Sequence, residues 1–310
     1  DDNTVEDDQS VRADLMLRQA RDLALRGWLA AAVVRRGYGR SDGLPTSRTT
    51  HFKSCEEGDL TRALDMEADD LDATLKAIAA RPDADGSRAI AIGDSLGGSA
   101  VLALAGRQPA GLRGVVNVSG GVRRTEGGNV CSHDGLVAAM ANLGARTRIA
   151  TLWLYAENDS LFPPATVQRM REAYAKAGGR AELRMLPRIF HDGHNLFADF
   201  KGRGYWLRAF DDFLRAQGLP NANDERVEGL MRVAKLPASV RADVESYFSI
   251  PMPRILVVSP SRAVYWIHEN NIYGARKRIL AACRAQAGAA CSVLMENNRL
   301  VPPAATSENP

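Results

Sequence analysis

The pentapeptide Gly93-Asp94-Ser95-Leu96-Gly97 constrains this chain more than any other feature. It follows Arg88–Gly93 (RAIAIG), an apolar run of strand length, and opens an Ala-rich stretch with helical character. A strand that turns at once into a helix forces the corner residue into a strained conformation with its side chain exposed. The flanking glycines are needed because side chains there would collide with neighbouring backbone. Patterns with three fixed positions arise by chance, so the strand before and the small-residue helix after carry the argument. Ser95 is the candidate nucleophile, and Leu96 N–H the candidate donor to an oxyanion.

A serine hydroxyl is a poor nucleophile until a base takes its proton, and that base needs an acid to fix its tautomer. Downstream, the apolar run Ile149–Tyr155 leads to Glu157-Asn158-Asp159, and Ala181–Leu186 leads to His191-Asp192-Gly193-His194. Each candidate thus follows a successive strand, on the edge of a parallel sheet where such sites assemble. Asp159 is read as the acid, with Glu157 as the alternative and capping of a helix near Pro164 as the structural role. His194 is read as the base and His191 as a surface histidine. A loop H-x-x-H lacks the helix that would align two imidazoles on a metal. His51, His133 and His268 have no comparable setting and read as structural or solvated. Activity is expected to fall as pH drops through the His194 pKa, because imidazolium cannot accept the serine proton.

Helical and strand periods alternate along the chain, which predicts an α/β layered fold. Residues 10–26 read as a helix closed by Gly27, and Trp28–Val34 as a short strand leading into the loop 35–41. Leu60, Leu64, Leu71, Leu75 and Ile78 stripe a helix that Asp59 could cap and Pro82 stops. Gly114–Val118 is a further buried strand, and 122–147 reads as loop and short helix. Val167, Met170 and Tyr174 mark another helix, and Trp206, Phe210, Phe213 and Leu214 a last one. After Pro220 the pattern changes. Asn221–Arg226 reads as a polar linker, followed by strands at Arg254–Ser259 and Ala263–His268, a helix from Tyr273 to Gln286 and a strand from Cys291 to Met295. The expected organisation is an acidic disordered tail over 1–9, a main domain over 10–220 and a small α+β domain over 221–310.

Composition excludes several classes. Of the 310 residues, 45% are hydrophobic and 25% charged, which rules out wholesale disorder and collagen-like repeats. The net charge of +3 is too mild for nucleic acid as a main partner. Trp28–Val34 is the longest apolar run, whereas a spanning helix needs about 20 residues, so no membrane span is expected. The stretch after Asp1 has no signal-peptide pattern, and export cannot be read from it directly. The four cysteines form no C-x-x-C pair, which argues against a zinc site. They allow two disulfides, with Cys55–Cys131 and Cys283–Cys291 favoured among three connectivities. Reduced cysteines in a cytoplasmic protein are the alternative.

The stretches RRGYGRSDG (35–43), GDSLGG (93–98), LWLYAENDSLFPP (152–164) and DGHNLF (192–197) resemble the dienelactone-hydrolase-like branch of the α/β-hydrolase superfamily over roughly residues 10–218. The resemblance implies a mostly parallel sheet flanked by helices, with Ser95, Asp159 and His194 as nucleophile, acid and base. Such proteins are similar to esterases and to prolyl-oligopeptidase-type peptidases. Dienelactone hydrolase proper has cysteine at the elbow, so its lactone chemistry does not carry over to Ser95. GDSL-type lipases share the string, but their serine block is N-terminal and their Asp and His stand in D-x-x-H, unlike the D-x-H here. The C-terminal unit resembles small appended domains of secreted bacterial hydrolases. One departure stands out: no strand ending in a His-Gly element precedes the first helix to give the second oxyanion donor. That strand would lie between those at 28–34 and 88–93, so either an upstream segment supplies it or the sheet is rearranged. The Tyr38 hydroxyl could substitute.

The expected function is that of a secreted or periplasmic serine hydrolase acting on a small-molecule ester, with no metal or organic cofactor required. A peptidase acting on short peptides and a non-catalytic binding protein that keeps the fold are the alternatives. Oligomeric state is not readable.

Overall fold

The computed structural model describes residues 11–44, 56–122, 133–189 and 191–302. They divide into two compact units, one made from the described residues of 1–24, 28–202 and 212–219, the other from those of 25–27, 203–211 and 220–310.

The first unit is built on a four-stranded parallel sheet. In chain order its elements are a 3-10 turn (Ala13–Met16), α1 (Leu17–Ala24), α2 (Glu57–Ala79), β1 (Ala89–Asp94), α3 (Leu96–Gly106), β2 (Leu112–Val118), α4 (His133–Arg146), β3 (Ala150–Ala156), α5 (Pro164–Lys176) and β4 (Arg180–Leu186). A 3-10 turn at Gly193–Asn195 and α6 (Phe200–Ala216) follow, the middle of α6 being assigned to the second unit. The sheet order is β1-β2-β3-β4 with every neighbour parallel. Burial follows position: β3 is buried throughout and β2 nearly so, while β1 and β4 at the edges are mostly half-exposed. Leu60, Leu64, Leu102, Leu104, Leu143, Trp153, Tyr155 and Tyr174 fill the core on one face. Each such side chain contributes on the order of 1.5–3 kcal/mol.

Several local expectations need correction. Trp28–Val34 is not a strand, because no described strand lies beside it to form a ladder, and Leu29 and Val33 are exposed. Asp59 does not cap α2. Glu56 holds the N-cap position but its side chain makes no capping hydrogen bond, and Asp59, inside the first turn, pairs with Arg62. Residues 133–146 form a full helix, α4, rather than loop and short helix.

The second unit carries α7 (Ala222–Val233), α8 (Arg241–Ser249), β5 (Arg254–Val258), β6 (Val264–His268), α9 (Ile272–Ala287), β7 (Ser292–Glu296) and β8 (Arg299–Leu300). Its antiparallel sheet runs β6-β5-β7-β8. Strand alternation sorts β5 onto two cores: Leu256 joins Val227, Leu230, Val244 and Phe248, while Ile255 and Val257 join Ala275, Ile279 and Cys283. The polar stretch 221–226 is no linker but the start of α7. Asn221 caps it by accepting from Asn223 N–H, and the Asn221 and Asn223 amides both donate to buried Asp211. Asp211 also takes a two-pronged ion pair from Arg26 at 2.6 and 2.8 Å, both groups being buried. Cys283 and Cys291 form a disulfide with Cα atoms 6.2 Å apart. Cys55, Cys131 and His51 lie outside the described residues, as does the 1–9 tail. Among the described residues, no helix is long and apolar enough to cross a membrane.

Candidate active site

The elbow is shaped by backbone. Ser95 stands between β1 and α3 at φ 53°, ψ −122°, a conformation that costs a non-glycine residue about 1–3 kcal/mol. The surroundings hold it there. Ser95 N–H donates to Val118 O at 3.0 Å, and Ser95 O accepts from Gly98 N–H at 2.9 Å and Gly121 N–H at 3.2 Å. A Cβ on Gly93 would sit 2.0 Å from Gly97 O, so only glycine allows the chain to fold back this tightly. The loop after β2 is pinned in turn by buried Tyr155, whose hydroxyl donates to Gly120 O at 2.6 Å and accepts from Asn117 Nδ2 at 3.1 Å. Burial pushes the Tyr155 phenol well above its ordinary range, so it remains a neutral donor.

The candidate acid and base come from the loops after β3 and β4. Buried Asp159 uses Oδ1 to accept from Leu161 N–H at 2.9 Å and Phe162 N–H at 3.0 Å. Its two oxygens lie 3.2 and 3.3 Å from His194 Nδ1. A carboxylate can only accept, so Nδ1 carries the proton and Nε2 is left as acceptor. His194 Nε2 is 3.0 Å from Ser95 Oγ, which donates to it. The hydroxyl, imidazole and carboxylate thus form one continuous line. Glu157, the alternative acid, is exposed, as is His191.

Side chains that sequence reasoning did not single out for the site join the two loops. Asp192 accepts from Ser160 N–H (3.0 Å), Ser160 Oγ–H (2.7 Å) and His194 N–H (2.9 Å). Asn158 donates to Ile189 O at 2.9 Å and accepts from Ile189 N–H at 2.8 Å. Gly193 lies so close to the acid loop that a Cβ there would meet Asp159 N at 2.7 Å. Phe162 packs its ring on that of His194, centroids 5.7 Å apart. The available signals were slight: an aspartate two residues before a histidine, and a lone amide within the apolar strand β2.

Electrostatics suit a base. Burial pulls the His194 pKa down, but the Asp159 hydrogen bond and the charges of Asp159, Asp94 and Asp192 outweigh it, and the net displacement is upward from 6.5. Burial works against Asp192 too, yet the hydrogen bonds from His194 N–H and Ser160 hold its carboxyl below the usual range. Leu96 N–H heads α3, where first-turn donors have no intrahelical acceptor. Tyr38 occupies the turn after Arg35, with the guanidinium 5.3 Å above its ring, and Arg35 is itself paired with buried Glu67. His133 meets Thr166 Oγ1 at 2.8 Å and His268 meets Pro253 O at 3.0 Å. Among the described residues, no group of three or more His, Cys, Asp or Glu is arranged to hold a metal ion.

A family model described as the dienelactone hydrolase family matches residues 11–206. The chain belongs to the dienelactone hydrolase family. Similar solved structures include a candidate dienelactone hydrolase from Klebsiella pneumoniae subsp. pneumoniae, 24% identical over 46% of this chain and 58% of that one, with a TM-score of 0.35. A Pyrococcus furiosus esterase is 15% identical over 65% and 75%, TM-score 0.45. A puromycin-hydrolyzing peptidase from Mycobacterium tuberculosis is 18% identical over 46% and 25%, TM-score 0.34. This chain therefore spans little more than half of the Klebsiella protein. No curated protein matches it. Family and architecture agree on an α/β-hydrolase fold.

Proposed function

We propose that this family member is a serine hydrolase that cleaves small carboxylic esters through an acyl-enzyme. The observation that carries the reading is the unbroken line from Ser95 Oγ through the His194 ring to Asp159. Ser95 Oγ attacks the ester carbonyl carbon as its proton passes to His194 Nε2. Asp159 stabilises the imidazolium, and Leu96 N–H receives the developing oxyanion. The proton goes to the departing alkoxide, leaving Ser95 acylated. Water then attacks with His194 again as base, releasing the acid and restoring the serine.

The second oxyanion donor is assigned to the Tyr38 hydroxyl. Tyr38→Phe should lower kcat by roughly 10²-fold if that assignment holds; an unchanged kcat would remove Tyr38 from the mechanism. The Cys283–Cys291 disulfide favours an oxidising compartment, and we assign the protein to the periplasm or the exterior.

The deciding experiment is Ser95→Ala. Hydrolysis of p-nitrophenyl esters should fall by roughly 10⁴–10⁶-fold, and labelling by a fluorophosphonate should disappear. Retained turnover, or a probe attached elsewhere, would refute the assignment. An amide panel run beside the esters tests the substrate class, and faster amide turnover would make the protein a peptidase.

A further inference from the structure

We propose that Phe162 is a positioning residue that sets the spacing between nucleophile and base, an aromatic wedge lodged between the loop that holds Ser95 and the ring of His194. The inference rests on the reading of Ser95, Asp159 and His194 given above. Phe162 lies on the loop after β3, two residues before α5 begins at Pro164, and its side chain is fully buried. It reaches all three parts of the line. Its N–H donates at 3.0 Å to Asp159 Oδ1, the oxygen that lies 3.2 Å from His194 Nδ1. Its ring packs on the imidazole, centroids 5.7 Å apart and planes tilted by 53°. The ring also meets Gly121, whose N–H donates to Ser95 O at 3.2 Å.

Gly121 shows how tight that last contact is. A Cβ there would sit 2.0 Å from Phe162 Cζ, 2.2 Å from Cε1 and 2.7 Å from Cε2. The φ of Gly121 is not positive, so the backbone conformation does not demand glycine. The ring of Phe162 does. Any side chain at 121 would have to displace either that ring or the loop gripping the Ser95 carbonyl.

A phenylalanine that only filled the core would have no need of these particular neighbours. Close-packed interiors have little free volume, so a displacement at one contact is passed to the next. Here the next contact is the one that matters, because Ser95 Oγ must hand its proton to His194 Nε2 across 3.0 Å. A misplacement of about 1 Å in such a transfer costs on the order of 10²-fold. The phenyl ring has no proton to give or take, so its effect falls on placement and should appear in kcat.

The test is a double-mutant cycle on the full chain, with p-nitrophenyl ester hydrolysis and Tm measured for every variant. Phe162→Leu removes Cε1, Cε2 and Cζ but stays apolar; well below its Tm, kcat should fall by roughly 10–100-fold with KM little changed. Gly121→Ala should lower kcat by a similar factor. The double variant should be no slower than Phe162→Leu alone, because the new methyl enters the space that the ring tip has left. Phe162→Met takes its place in the cycle if the leucine variant does not fold. Single losses that multiply in the double variant, or a folded Phe162→Leu that keeps its kcat, would overturn the proposal and leave Phe162 a core residue. A second readout does not depend on turnover. With ring-labelled histidine, the His194 Nδ1 proton, assigned by its loss in His194→Gln, should exchange with water roughly tenfold faster in Phe162→Leu. Faster exchange in a protein that turns over no ester supports Phe162 and refutes the hydrolase. Wild-type turnover with kcat and exchange both unmoved in Phe162→Leu refutes Phe162 alone.

Discussion

Ser95 and His194 meet at 3.0 Å, yet the two sides of that contact are held by different kinds of force. On the serine side the restraints are peptide groups: the β1–β2 ladder continues through Ser95 N–H, its carbonyl accepts from the amides of Gly98, Ser99 and Gly121, and Gly93 admits no side chain. On the histidine side the restraints are mostly side chains, with Asp192 and Asn158 tying one loop to another. Backbone restraints are part of the fold's own hydrogen bonding and fail only with it. Side-chain restraints can be removed one at a time while the sheet stands. The proposed nucleophile is thus coupled to global stability, and the proposed base to local geometry.

The widest separation between the two sides should come from Gly93→Ala. Its Cβ would strike backbone that cannot give, so the elbow must open or the strand must shift. We expect activity and fluorophosphonate labelling to be lost together with a fall in Tm of more than about 5 °C. A variant that melts like wild type while losing activity would break the claimed link between nucleophile and fold. Asp192→Ala should behave in the opposite way, lowering kcat by roughly 10–100-fold through misplacement of His194, with Tm nearly unchanged. Asp192→Asn, which keeps one acceptor oxygen, should recover part of that loss. A large drop in Tm for the alanine variant would mean that Asp192 serves the fold rather than the site.

This difference also explains what could be read from the sequence. Ser95, Asp159 and His194 could be singled out as candidates because each follows a strand legible in the local sequence, the apolar runs of β1 and β3 and the alternating β4. The glycines of the elbow were visible for the same local reason. Asp192, Asn158 and Asn117 were not, since their meaning lies in partners supplied by other loops. Trp28–Val34 shows the converse error: its composition suits a strand, but a strand exists only through a neighbour, and none of the described ones adjoins it. Asn221–Arg226 looked like linker because the partners of its polar residues lie elsewhere in the chain, Asp211 ten positions before Asn221 and the Leu25 carbonyl about two hundred before Arg226.

That last cluster limits how the chain can be divided. The second unit is discontinuous: Arg26 and Asp211 belong to it although both precede Pro220. A fragment beginning at Asn221 would lack the aspartate its first helix is anchored to, and one ending there would retain a buried ion pair stripped of its amide companions. Neither piece would be a transferable cassette. A fusion or library that exchanges the C-terminal region among relatives would need to carry short stretches around positions 26 and 211 along with it.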